Sequence, residues 1–186
     1  MTVLDSGQPP LDYVQLGRVL QAARSDTELF KQIVNAPFEY NKVETAFLFL
    51  GIMVLLLVNK QTGQIDRVAL SNTELAKNTT EVSYVPFEAI KIPVDHPENI
   101  ISRAIQTGKP QETVDWKDLF VPALTEEQAR INQAGGGIAY SGVQPLKARD
   151  GGAMIFSFYQ YPDNISKPQH EFMERYAALV TEALRR

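Results

Sequence analysis

The sequence predicts an α+β fold, a largely antiparallel sheet enclosed between helices, and three observations carry that expectation. Apolar residues recur at helical spacing at both ends of the chain, over 11–24 and again after Ser166. Between these ends lies AFLFLGIMVLLLV, Ala46 to Val58, which has no charge and whose one non-apolar residue is Gly51. A run apolar at every position is how a central strand reads when both of its faces are covered. The remaining middle of the chain is a succession of short strand-like and helical segments punctuated by glycine, proline and asparagine. A chain of 186 residues suffices for one well-buried core. Residues 11–186 therefore read as a single domain, behind an exposed leader at 1–10 that closes on Pro9-Pro10.

Each element follows from local chemistry. Leu11, Val14, Leu16, Val19, Leu20 and Ala23 predict a helix over 11–24. Ser25-Asp26-Thr27-Glu28 has the form of a capping box and opens a second helix, about 26–35, which Pro37 interrupts or kinks. Ala46–Val58 is 13 residues long, short of the roughly 20 that a membrane-spanning helix needs. It is bounded by Lys42, Glu44 and Asn59-Lys60, and reads as core. Residues 42–51 either finish a helix or belong to the strand, and periodicity does not separate the two. The polar stretch Asn59–Gln64 carries Gly63 for a turn. Ile65–Ser71 then alternates, with Ile65, Arg67 and Ala69 on one face and Asp66, Val68 and Leu70 on the other. Segments 52–59 and 65–71 thus form a hairpin.

Asn72–Ser83 is polar and reads as a loop. Phe87–Val94 alternates and reads as a strand with Pro93 at its edge or end. Asp95–Asn99 starts a helix through Gln106, which Thr107-Gly108-Lys109-Pro110 stops. A short strand at 111–114, a short helix at 125–134 and strands at 137–146 and 152–161 follow. Ser166-Lys167-Pro168-Gln169 caps a last helix whose apolar stripe runs through Phe172, Met173, Tyr176, Leu179, Val180, Ala183 and Leu184.

Composition excludes several functions. The net charge of −4 argues against nucleic-acid or anionic-membrane partners, which favour basic patches. The absence of cysteine removes disulfides, thiolate metal sites, cysteine nucleophiles and thioether cofactor attachment. MTVLDSGQPP lacks the basic start and apolar run of a secretory signal, so the expected location is cytoplasmic. His96 and His170 lie in a turn and in the first turn of the last helix, with no second histidine or carboxylate at ligand spacing; they read as surface or capping residues. Gly135-Gly136-Gly137 precedes a strand instead of opening a helix, so it is not a dinucleotide fingerprint and reads as a flexible loop or lid. Glu126-Glu127 reads as a solvated helix start. No catalytic constellation or metal set emerges.

Asn99-Ile-Ile-Ser-Arg-Ala-Ile-Gln-Thr-Gly-Lys-Pro110, followed by Asp115-Trp116, resembles the helix–TGKP–strand passage of GAF domains. The ending is similar too: Gln144-Pro-Leu146, a short turn, Gly151-Gly-Ala-Met-Ile-Phe-Ser-Phe158 and a long last helix. VNKQTGQIDRVALS resembles the family's first hairpin, and the resemblance spans about 40–184. It implies a central antiparallel sheet of five to six strands, as in GAF and PAS-like folds. The N- and C-terminal helices would lie on one face, often as a dimer bundle, with short helices and loops closing a small-molecule pocket on the other. The implied role is sensing or regulation in signal transduction. Cysteine-dependent bilin attachment and free-methionine-sulfoxide reduction have no counterpart here. Asn59-Lys60 lacks the Phe-x-x-x-Asp-Glu that cyclic-nucleotide members carry after it.

The resemblance places the pocket near Asp115 and Trp116, just after the TGKP strand, and near Tyr140 and Ser141, on the strand after the glycines. An aromatic face with a few polar groups suits a small-ligand cavity; the plain alternative makes Trp116 and Tyr140 core residues. The expectation is a non-enzymatic sensor module, homodimeric through its terminal helices, its cofactor unspecified and its output passing through a protein partner. The alternatives are a ligand-free dimerisation or docking module, and an enzyme with a dispersed active site.

Overall fold

The computed structural model describes residues 10–160 and 166–186, so the expected leader lies, except for Pro10, outside the described residues. Helices α1 (Tyr13–Ala22), α2 (Asp26–Tyr40) and α3 (Lys42–Phe47) lead into β1 (Leu50–Asn59). A turn with Gly63 at φ 67° returns the chain along β2 (Gln64–Leu70), a left-handed conformation that glycine adopts without a Cβ clash. There follow α4 (Glu74–Val82), a 3-10 turn at Phe87–Ala89, β3 (Ile92–Pro93), α5 (Ile100–Thr107) and β4 (Gln111–Thr113). The chain ends with α6 (Lys117–Phe120), α7 (Glu126–Gly135), β5 (Tyr140–Leu146), β6 (Gly152–Phe158) and α8 (Lys167–Ala183). The six strands form one sheet in the order β3-β2-β1-β6-β5-β4. Every neighbouring pair is antiparallel, and the α+β class is as the sequence predicts.

The uncharged run opens on the end of α3, and its Phe47 and Phe49 are exposed; from Leu50 the run owes its composition to β1, which sits between β2 and β6. Met53 and Leu55 face a core built with α1, α2 and α8. Ile52, Val54 and Leu56 face a second core closed by α5, α6 and α7. Among the described residues no helix is long and apolar enough to cross a membrane. The α8 stripe is spent inside the chain: Phe172, Tyr176, Val180 and Leu184 are fully buried against the sheet and the first two helices.

Several elements differ from the sequence reading, each for an identifiable reason. α2 runs through Pro37 to Tyr40. Proline has no N–H, so the carbonyl of Ile33 loses its donor four residues on; the buried Tyr176 hydroxyl of α8 donates to that oxygen at 2.8 Å instead. Ser25 Oγ does accept from the Glu28 N–H at 3.2 Å, but the Glu28 carboxylate reaches back to the N–H of Arg24, not of Ser25. The stretch Asn72–Ser83, expected as a loop, contains α4. Thr73 Oγ1 caps it, and the hydroxyls of Thr79 and Thr80 donate to the Leu75 and Ala76 carbonyls at 3.0 and 2.9 Å. These local bonds absorb the polarity that hides the helix in the sequence.

The strand expected at 87–94 shrinks to the two residues of β3, at the sheet edge where Pro93 has no ladder N–H to lose. The regular alternation expected for β2 breaks at a bulge, because Leu55 faces Ala69 while Leu56 faces Arg67. Ile65 and Leu70 consequently join the second core while Val68 and Ala69 join the first. Of the three glycines read as a loop or lid, Gly137, at φ 60°, has open space around it, and the other two are a close-packed seam: a Cβ on Gly135 would meet Val82 at 2.4 Å, and one on Gly136 would meet Thr79 Oγ1 at 2.3 Å. They let the end of α7 lie against α4. Of the last two strands, expected at 137–146 and 152–161, the first begins later, at Tyr140, and the second ends earlier, at Phe158; residue 161 lies outside the described residues.

Candidate functional site

The sheet face away from the terminal helices carries a cleft. Its floor is Ile52 and Val54 of β1 with Ile155 and Ser157 of β6, and Arg67 and Leu70 of β2 extend it. Thr79 and Thr80 of α4 form one wall, and Trp116, Phe120 and Asn132 form the other. The 83–90 segment closes it with Ser83, Val85, Phe87 and Ile90. The cavity volume is only about 30 Å³. The walls are therefore close together, and the space suits a compact guest or one that spreads them.

Most polar atoms around the cleft are paired. The Trp116 indole N–H donates to Ser141 Oγ at 2.9 Å, and Ser141 Oγ lies 2.7 Å from Ser157 Oγ. The Trp116 ring meets Phe120 edge-on, with centroids 5.1 Å apart. The Trp116 backbone N–H donates to Gln133 Oε1 at 2.8 Å, and the Gln133 amide donates to the Val114 and Ile138 carbonyls. Asn132 Nδ2 donates to Ser83 Oγ at 3.1 Å, linking α7 to the end of α4.

Two groups lack partners. Asn132, 3 % exposed, has its Oδ1 buried without a donor. Arg67 stands over the rings of Phe87 and Phe120, its guanidinium carbon 4.7 and 4.6 Å from their centroids. Among the described residues no carboxylate pairs with it within 4.0 Å, and the cleft lining contains no acidic side chain. Burial pulls the pKa of Arg67 down to about 9, so it is a cation at neutral pH. The two phenyl faces supply cation–π attraction, typically about 0.5–2 kcal/mol, but they accept none of its in-plane N–H bonds.

The four residues singled out from sequence fall in different places. Trp116 lines the cleft, and Ser141, fully buried, holds its indole. Asp115 lies beside the cleft and anchors its wall. Its carboxylate accepts from the Lys117 N–H at 3.0 Å and from Arg130 Nη2 at 2.9 Å. Partial burial pushes the Asp115 pKa up, but the Lys117 N–H and the Arg130 guanidinium outweigh it and hold the group below the usual carboxylate value. Tyr140 lies on the opposite sheet face, stacked on Phe158 at 5.6 Å. Burial, reinforced by nearby Glu112, pushes its phenol above the usual range. Arg67 and Asn132 were not singled out. The only sequence signal for Arg67 is a cation inside an otherwise apolar strand face.

His170 Nε2 lies 3.2 Å from Glu112 Oε1, joining α8 to β4 at the wall of an open surface trough of about 690 Å³. Among the described residues no group of three or more His, Asp or Glu side chains is arranged to hold a metal.

No family model matches the sequence, and no curated protein matches it. Solved structures do match in shape. The GAF domain of an Acinetobacter phosphoenolpyruvate-protein phosphotransferase superimposes with a TM-score of 0.59 at 10 % identity, covering 92 % of this chain and 89 % of that one. Residues 122 to 287 of a methyl-accepting chemotaxis protein give 0.58 at 12 %, covering 92 % and 94 %. Free methionine-R-sulfoxide reductase from Neisseria meningitidis, in complex with its substrate, gives 0.56 at 10 %, covering 92 % and 84 %. The chain has a GAF-like fold.

Proposed function

We propose that this chain is a non-enzymatic sensor module of signal transduction that binds a small molecule in the cleft on the distal sheet face. The single observation that carries the reading is a narrow, mostly apolar cleft containing two polar groups without partners, Arg67 and Asn132 Oδ1. Buried polar groups are normally satisfied, and Asn132 Oδ1 is buried without a donor; Arg67, half-buried, turns unpaired N–H groups towards the cleft, and a ligand would engage both. Similarity in fold to domains of chemotaxis proteins and sensor kinases supports a signalling role. The fold is also that of a sulfoxide reductase, but this sequence contains no cysteine to supply thiol redox chemistry. Asp115 and Ser141 act by fixing Trp116, the aromatic wall. Binding at α4 would be passed to α7 through the close glycine seam, and a cytoplasmic protein partner would read it.

Native mass spectrometry of freshly purified protein, with thermal melts against a metabolite library, tests this. A ligand at a hundred times its Kd stabilises by about 2.7 kcal/mol, or about 5–11 °C for a domain of this size. A folded protein with neither a bound mass nor any stabilising compound would refute the sensor reading.

One observation favours docking as a second reading. Val43 (59 % exposed), Phe47 (55 %), Phe49 (37 %) and Tyr159 (42 %) stand at the α3–β1 corner, with Phe49 and Tyr159 in edge-on contact. A homodimer would use such exposed surface, because the α8 stripe is occupied. Light scattering on Phe47→Asp against the parent reads it: dissociation of a dimer supports docking there, and an unchanged mass removes that corner as the seam.

A further inference from the structure

Resting on the sensor reading, we infer that the ligand is a small organic monoanion, a carboxylate on a compact apolar body, whose carboxylate pairs with the in-plane N–H groups of Arg67. The cleft holds a single cationic side chain and no acidic one. Its aliphatic and aromatic lining disfavours a hydrated ion, so the charge of Arg67 is most cheaply balanced by a guest that carries the opposite charge and little else that is polar. The geometry selects among anions. Phe87 and Phe120 stand against the guanidinium, which leaves its edge as the hydrogen-bonding surface. A planar carboxylate matches that edge bidentately.

Size points the same way. A cavity of about 30 Å³ is smaller than the roughly 150 Å³ that holds a benzene ring, so any guest must part the walls; a compact acid needs a small displacement and a nucleotide a large one. Trp116 and Phe120 offer ring surface to an apolar body, and the unpartnered Asn132 Oδ1 offers an acceptor for a hydroxyl or amine at its far end. Among the described residues no competing carboxylate pairs with Arg67: neighbouring Asp66 turns to Asn59 and Lys91 instead.

Trp116 is the only tryptophan in the chain, so intrinsic fluorescence reports this cleft directly. The test titrates the protein with acetate, pyruvate and benzoate, with their primary amides and with inorganic phosphate, following Trp116 emission and thermal melts. The expected result is saturable binding of at least one carboxylate, with its amide about 10- to 100-fold weaker, the loss of a charge-assisted bond. Arg67→Gln should abolish the difference between acid and amide. Arg67→Lys, which keeps charge but not the fork and guards against misfolding of the first variant, should retain part of it. Amides binding as well as acids, or Arg67→Gln leaving the preference intact, would overturn the anion assignment while the sensor reading stands. Phosphate binding in place of every carboxylate would overturn the carboxylate choice. A folded protein that answers to no acid, no amide and no phosphate, and that carries no adduct when purified, would overturn both.

Discussion

Replacing Tyr176 with phenylalanine removes one oxygen atom and leaves the ring and its packing in place. The oxygen matters because of Pro37. In an uninterrupted helix the N–H of residue 37 would bond to the carbonyl of Ile33; proline supplies none. The Tyr176 hydroxyl does so at 2.8 Å, and Ile33 and Tyr176 are both fully buried, out of reach of water. Tyr176→Phe therefore strands a buried carbonyl, and the expected cost is about 1–3 kcal/mol. That corresponds to roughly 2–4 °C of melting temperature per kcal/mol for a domain of this size. The decisive measurement is a double-mutant cycle with Pro37→Ala, using denaturant melts followed by circular dichroism. Alanine restores an N–H to Ile33, so Tyr176→Phe should cost about 1 kcal/mol less in that background. Equal costs in both backgrounds, or a neutral Tyr176→Phe in the parent, would refute the argument that the tyrosine stands in for the missing proline donor.

Two further predictions concern stability. Burial pushes the phenol of Tyr176 well above its ordinary value of 10.0, so the native state holds this proton where the unfolded chain has released it. The slope of unfolding free energy with pH is then negative above about pH 10: the contribution is complete below the unfolded value and is lost as pH climbs through the raised one. Tyr176→Phe should flatten the alkaline arm of a melting-temperature-against-pH curve, and an unchanged arm would assign that loss to other groups. Asn99, 1 % exposed, accepts from the N–H groups of Ile101 and Ser102 and donates to the carbonyls of Leu119 and Val121. Asn99→Asp keeps the cap of α5 but sets a carboxylate against two carbonyl oxygens. It should destabilise by at least the 1–3 kcal/mol of an unsatisfied buried group, and a melt matching the parent would mean that α6 does not depend on this link.

The main outline was legible because it rests on patterns that the whole chain repeats locally. A strand covered on both faces has to be apolar along its covered length, and β1 is from Ile52 to Val58. Ser166 and Gln169 form the expected reciprocal cap, and Gly108 takes the left-handed conformation, φ 65°, that ends α5. Trp116 was singled out by the resemblance, which sets a pocket just after the TGKP strand, and its place on the cleft wall follows from the strand and helix around it. What was not legible depends on partners far along the chain. Nothing near Pro37 says that a hydroxyl 139 residues later will complete its helix. Nothing in the polar sequence of α4 says that its threonines will bond backward to their own helix. The role of Arg67 was hidden for the same reason. Alternation places it on a face, but the bulge at Val68, the two phenyl rings and the lack of a neighbouring carboxylate exist only once β2, α6 and the 83–90 segment meet. Hydrophobic periodicity and capping are short-range and written in consecutive residues. The pairing of a half-buried charge or a buried carbonyl is a long-range account, and tertiary structure alone decides which groups are left without a partner.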